Sequence, residues 1–175
     1  MFKSILVAVD GSDHARKAAS IAADIAGIYD ARLCLVHVVT GKKIAAEVKR
    51  MAEVEHLVQS PLPGAPAYNT AMPAEMGRML GDANLHGAIA HIATAVGQRI
   101  LDEAANQLRE SKAIEAAKRL EHGDPTRLIL ACAENENADL IVMGNRGLSD
   151  LEGTFMGSVS SKVTHAAKCT CLAVK

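Results

Sequence analysis

Four short runs in this chain are apolar almost without interruption, and each is followed or preceded by a helical pattern. They are SILVAVD at residues 4–10, RLCLVHVV at 32–39, DLIVM at 139–143 and TCLAV at 170–174. A strand with one wet face alternates apolar and polar residues. A strand covered on both faces does not alternate, and this is the mark of a parallel sheet between helical layers. The aromatic content is only 2%, so the core filling such layers must be Ile, Leu, Val, Ala and Met.

The intervening segments supply the helices. Gly11 and Ser12 turn the chain after the first strand, and Ser12 is placed to cap a helix through about Ile28. The expected buried face of that helix carries Ala18, Ile21, Ala22, Ile25 and Ile28. Strand, helix and strand make a βαβ unit. Residues 42–57 carry Ile44, Val48, Met51 and Ala52 at helical spacing, and Pro61, Pro63, Pro66 and Pro73 then break the chain into an exposed linker. A short helix is expected over residues 74–80. A longer one follows, with Leu85, Ile89, Ile92, Val96, Ile100, Ala104 and Leu108 along one face. Residues 114–120 read as a strand. Asp124 and Pro125 open the next helix as N-cap and first helical residue, and it ends near Asn137. A last helix of about ten residues begins near Gly157, ahead of the closing strand. This order implies an α/β fold, a mainly parallel open sheet with helices on both faces. It forms a single domain, 1–175, with an insertion at about 41–85.

With 49% hydrophobic and 22% charged residues, the 175-residue chain reads as globular. Its formal charge is −1, with Lys and Arg dispersed, so no basic tract points to nucleic acid or an anionic membrane. The scarcity of aromatics argues against stacking recognition of single strands. No apolar run has the length of a membrane span or a signal peptide, and a cytoplasmic protein is expected. Cys34 and Cys132 lie in apolar segments as small core residues. Cys169 and Cys171 form C-T-C without a second pair at zinc spacing, and packing is the favoured reading. The seven histidines form no metal or triad pattern, and His37, inside a strand, reads as a satisfied core residue. Met72, Met76 and Met79 read as a packing stripe.

The chemistry concentrates in MGNRGLSDLEGTFMGSVSS, residues 143–161. Gly144 follows a buried strand, Gly147 comes soon after, and Gly157 precedes Ser158 and Ser160 at a helix start. Glycines there let a ligand approach the main chain, and a helix N-terminus offers N–H groups and partial positive charge to phosphate. Asp10 ends the first strand on the same sheet edge. Its carboxylate either receives ribose hydroxyls or a divalent cation, or caps the turn that follows it, and both readings stand. No G-x-x-x-x-G-K-[ST] occurs, and no G-x-G-x-x-G follows the first strand.

The spacing G-x2-G-x9-G-S, carried by Gly144, Gly147, Gly157 and Ser158, resembles the nucleotide motif of ATP-binding universal stress proteins. ILVAVDGSDHA, LCLVHVV, GDPTRLILACAENENADLIVMGNRG and CTCLAVK resemble the same family's elements in order. The resemblance implies a five-stranded Rossmann-like sheet of the adenine nucleotide alpha hydrolase-like type, with a helical insertion after the second strand. It implies ATP, with Mg²⁺, as the ligand. Asp10, with Ala8 and Val9, then lies by ribose and adenine, and Val38 meets adenine. Met143, Gly144 and Gly147 surround ribose and α-phosphate, with Arg146 between the glycines. Gly157, Ser158, Val159 and Ser160 hold the β- and γ-phosphates. The family likeness also implies a homodimer, pairing through residues 170–174. The insertion departs from compact members and is a place for a lid, a dimer element or a protein partner. Gly153 is a second departure, where a bulkier residue is common. No P-loop lysine or positioned base is evident, since Asp150 and Glu152 lack a supporting pattern. A nucleotide-dependent stress-response regulator is therefore expected rather than an enzyme. A slow ATPase or phosphotransfer enzyme is the alternative. The S-G-G-x-D-S loop of adenylating relatives is not supplied by D-G-S-D.

Overall fold

A computed structural model describes residues 1–40, 74–112, 114–147 and 156–175, with side chains in the long central helix described from residue 90. The expected helix at 42–57, the proline linker, Met72, and the loop residues Asp150, Glu152 and Gly153 lie outside the described residues. The chain divides into two compact units, Met1–Thr40 with Thr94–Lys175, and Gly41–Ala93. All five strands belong to the first.

The elements run β1 (Ser4–Ala8), α1 (Asp13–Tyr29), β2 (Arg32–Val39), α2 (Ala74–Lys112), β3 (Ala116–His122), α3 (Pro125–Asn135), β4 (Leu140–Gly144), α4 (Ser158–Ala166) and β5 (Thr170–Val174). All five strands are parallel, in the order β3-β2-β1-β4-β5. β1 sits at the centre, with Ala8 opposite both Val36 and Met143. Successive strand residues face opposite layers. Ile5, Val7, Leu33, Leu35, Leu140 and Val142 join α1 in one core. Leu6, Cys34, Val36, Ile141 and Met143 join Ile129 of α3 and Val163 of α4 in the other. This double burial explains the unbroken apolar runs.

Several expectations shift in detail. β1 ends at Ala8, two residues before Asp10, and β3 begins at Ala116 rather than at residue 114. The helices expected at 74–80 and from 85 onward are one continuous α2 of 39 residues. On α1 the sheet side is an alanine stripe: Ala15, Ala18, Ala19, Ala22, Ala23 and Ala26 are buried. Ile21 and Ile28 are exposed instead. Side chains without γ-atoms let the helix lie close against the strands, and close packing outweighs burial of the larger residues here. On α2 the buried positions include Leu101 and Leu108, while Ile92 and Val96 are exposed.

Caps form where the sequence places them. Ser12 Oγ accepts from the Ala15 N–H at 3.2 Å, and Asp124 Oδ1 accepts from the Arg127 N–H at 2.9 Å. At the amino edge of the sheet, Asp139 Oδ2 accepts from the N–H groups of Lys3 at 2.7 Å and Ser4 at 3.1 Å. These bonds hold its carboxyl below the usual carboxylate range. No described helix is long and apolar enough to cross a membrane.

Candidate functional site

Parallel strands deliver their carboxyl ends to one edge. The strand order reverses between β1 and β4, since the chain goes from β1 to β2 on one side and reaches β4 on the other. The loops leaving a reversal point diverge and leave a crevice there. The first wall is the β1 exit. Val9 is buried, and its N–H donates to Val36 O at 2.9 Å. Asp10 Oδ1 accepts the Ser12 N–H at 3.0 Å, across Gly11 in the left-handed region at φ 83°. The capping role of Asp10 is therefore real, and it engages Oδ1.

The second wall is the β4 exit. A side chain at Gly147 would put its Cβ 2.5 Å from Asp10 Oδ2. Real Cβ atoms do not approach that closely, so only glycine admits this contact without turning the carboxylate away. Asp10 and Gly147, remote in sequence, thus meet through a main-chain approach. Gly144 ends β4, where a Cβ would lie 2.8 Å from His14 Cβ and 3.1 Å from the Ala15 nitrogen. The second glycine therefore lets α1 close against the strand end.

Asn145 ties the loop to the helix after it. Its N–H donates to Val174 O at 2.7 Å, and its carbonyl accepts the Gly157 N–H at 2.7 Å. The same carbonyl accepts from Ser160 Oγ at 2.7 Å. Ser160 is buried, and its hydroxyl points into this turn, with Gly157 O as a second acceptor at 3.0 Å. Ser158 is exposed at the helix start. Asn145 was not singled out by the sequence. These bonds run through its main-chain atoms, which leave no residue-type signature in the sequence.

The start of α4 differs from those of α1 and α3. Its N-cap is Gly157, and no side-chain oxygen caps it. The first intrahelical bond is Ser161 N–H to Gly157 O at 3.0 Å. The N–H groups of Ser158, Val159 and Ser160 precede that bond and face outward along the axis. Such a terminus attracts anions.

The other sequence-predicted residues fall around this edge. Ala8 and Val38 are partly buried against the core that also takes Met143 and Val159. Met143 is itself buried within that core. Arg146 and Gly147 are half-buried. All four cysteines are free. Burial, and to a lesser degree the Glu136 charge, pushes the Cys34 thiol up to about 11. Burial likewise raises Cys132, Cys169 and Cys171. Protonated thiols are poor nucleophiles and ligands, consistent with packing. No group of three or more His, Cys, Asp or Glu among the described residues could hold a metal ion.

A model of the universal stress protein family matches residues 1–175. A universal stress protein of Thermus aquaticus, from the QAH/OAS sulfhydrylase 3′ region, is 32% identical over 182 aligned positions covering all of both chains. Among solved structures, a universal stress protein in complex with cAMP aligns at 21% identity, 99% of this chain, 97% of its own and TM-score 0.61. The universal stress protein of Archaeoglobus fulgidus in complex with dAMP aligns at 20% identity, 99% of this chain, 98% of its own and TM-score 0.55.

Proposed function

The chain belongs to the universal stress protein family, and from that premise we propose that it binds ATP at the β1–β4 crevice as a regulator that holds the nucleotide rather than consuming it. The observation that carries this reading is the uncapped start of α4 beside the Asp10–Gly147 contact. A phosphate chain supplies the acceptors that Ser12 and Asp124 supply to α1 and α3.

In the bound state Asp10 receives the ribose hydroxyls, flanked by Ala8 and Val9, and Val38 lines the adenine. Met143, Gly144 and Gly147 border ribose and α-phosphate, with Arg146 beside them. Gly157, Ser158, Val159 and Ser160 meet the β- and γ-phosphates. Ser158 offers hydroxyl and N–H. Ser160 offers its N–H, because its hydroxyl is turned toward Asn145. Mg²⁺ enters with the triphosphate and keeps phosphate oxygens and water as its main ligands. Neighbours in complex with cAMP and dAMP support an adenine nucleotide as the ligand. The sequence has no G-x-x-x-x-G-K-[ST] lysine, and hydrolysis would need both a water-positioning group and a charge clamp.

The homodimer belongs to the same proposal. β3 is an edge guarded by charge, with Lys118 paired to Asp102 at 2.6 Å and Arg119 to Glu136 at 2.8 Å. β5, Thr170–Val174, is the other edge and carries no charged residue. An uncharged edge is the one open to pairing with a second copy. Free thiols accord with a reducing, cytoplasmic setting.

The test is to release and identify the nucleotide retained by the purified protein, then titrate ATP, ADP, AMP and cAMP by calorimetry with Mg²⁺. ATP preferred and unchanged over hours supports the proposal. Preference for a monophosphate would remove the β- and γ-phosphate roles, sustained turnover would make it an enzyme, and no binding at millimolar concentration would remove the site. Sedimentation of a monomer at every concentration would remove the dimer.

A further inference from the structure

β1 and β2 stop pairing at Ala8 and Val36, yet the functional carboxylate stands two residues beyond. Something must hold that overhang. The Val9 N–H reaches Val36 O at 2.9 Å. The Val9 carbonyl is met by a side chain, His37 Nδ1, at 2.7 Å. A carbonyl only accepts, so Nδ1 carries the proton. The ring thus continues the ladder where the strand bonds end. Asp10 follows Val9 directly, so the plane of the peptide that launches Asp10 is set by this bond.

The ring is in turn held by α2. A Cβ at Gly97 would lie 2.9 Å from His37 Cδ2, 2.9 Å from Val39 Cγ2 and 2.8 Å from Leu120 Cδ1. Gly97 is buried within the helix, where glycine costs about 1 kcal/mol relative to alanine. The missing Cβ is the space into which His37, Val39 and Leu120 pack. We propose that His37 is a positioning residue for the ligand site: seated against Gly97, its Nδ1–H fixes the Val9 carbonyl and so aims the Asp10 carboxylate at Gly147. This deepens the nucleotide reading and rests on it only for the affinity measurements.

Three variants and one spectrum test it. His37→Phe keeps a ring and loses the donor. His37→Asn places an amide N–H about where Nδ1 stands. Loss of one aligning hydrogen bond predicts an ATP affinity lowered about fivefold in His37→Phe and returned to within about twofold of wild type in His37→Asn. In an Asp10→Asn background, His37→Phe should cost little more, since both act on one carboxylate. Equal losses in His37→Phe and His37→Asn, or independent losses in the double variant, overturn the proposal. A readout without nucleotide separates this from failure of the ATP reading. The Ser12 amide, bonded to Asp10 Oδ1, should exchange faster in unliganded His37→Phe and not in His37→Asn; unchanged exchange overturns the proposal even if ATP binds. Should His37→Phe not fold, the imidazole nitrogen spectrum of the wild type decides, with Nδ1 protonated as expected and the opposite tautomer overturning it.

Discussion

The two loops that leave the sheet at β1 and β4 solve the same geometric problem in opposite ways. After β1 the chain satisfies itself within a few residues. Asp10 takes the Ser12 N–H, Ser12 Oγ takes the Ala15 N–H, and Arg16 Nη1 reaches Gly11 O at 2.9 Å. At the β4 exit the next described helix, α4, starts at Gly157 with no side-chain cap. The start of α1 is closed by its own side chains, and the start of α4 is not. The N–H groups of an open helix start take their partners from water or from a bound anion.

The strongest way to break this contrast is to close the open loop. Gly157→Asp gives α4 the kind of cap Asp124 gives α3 and sets a negative charge where phosphate is expected. ATP affinity should fall about a hundredfold while circular dichroism stays unchanged. Affinity near wild type in calorimetry would falsify phosphate seating at α4. Next is Gly147→Ala. Among the described residues its Cβ meets only the far end of the Asp10 side chain, so the carboxylate turns and the fold remains. Affinity should drop about tenfold with a small change in Tm; a large loss of Tm instead would mean that Gly147 serves folding rather than the ligand. The closed loop should behave in the reverse sense. Ser12→Ala removes a cap and should cost about 1 kcal/mol, a few degrees of Tm, with affinity within about twofold.

Asp139 gives the smallest effect and a useful contrast, because it is a carboxylate at the opposite edge. Its folded pKa is depressed by the Lys3 and Ser4 N–H groups. The stability it contributes is present above its unfolded pKa of about 3.9 and lost as pH falls through the lower folded value. Asp139→Asn should therefore be less stable than wild type near neutrality. The gap should shrink below about pH 4 in chemical denaturation, and ATP affinity should not change. A gap that persists at low pH would mean the two N–H bonds do not depend on the charge.

The sequence carried the architecture well because double burial writes itself as unbroken apolar runs, as in β1, β2 and β4, while β5 shares the apolar run but is mostly half-buried. β3 was displaced by two residues because its exposed edge, AAKRLEH, lacks that signal. The face of α1 was misjudged because hydrophobic size favoured Ile21 and Ile28, while the sheet required alanines. Two helices were read where α2 is one, since the Met-containing segment and the Ile-containing segment have different apolar stripes and nothing in composition demanded their continuity. At the site, glycines and Asp10 were legible because they are needed for what their own atoms do. Asn145 and the inward turn of the Ser160 hydroxyl were not, because main-chain hydrogen bonds of a loop depend on a path that periodicity does not encode.

The reversal of strand order also has a biosynthetic meaning. Asp10 is made early and Gly147 late, and they become neighbours only when β4 has docked beside β1. No fragment that stops short of β4 owns the crevice. A ligand held there would add its binding free energy only to chains in which β4 has docked beside β1.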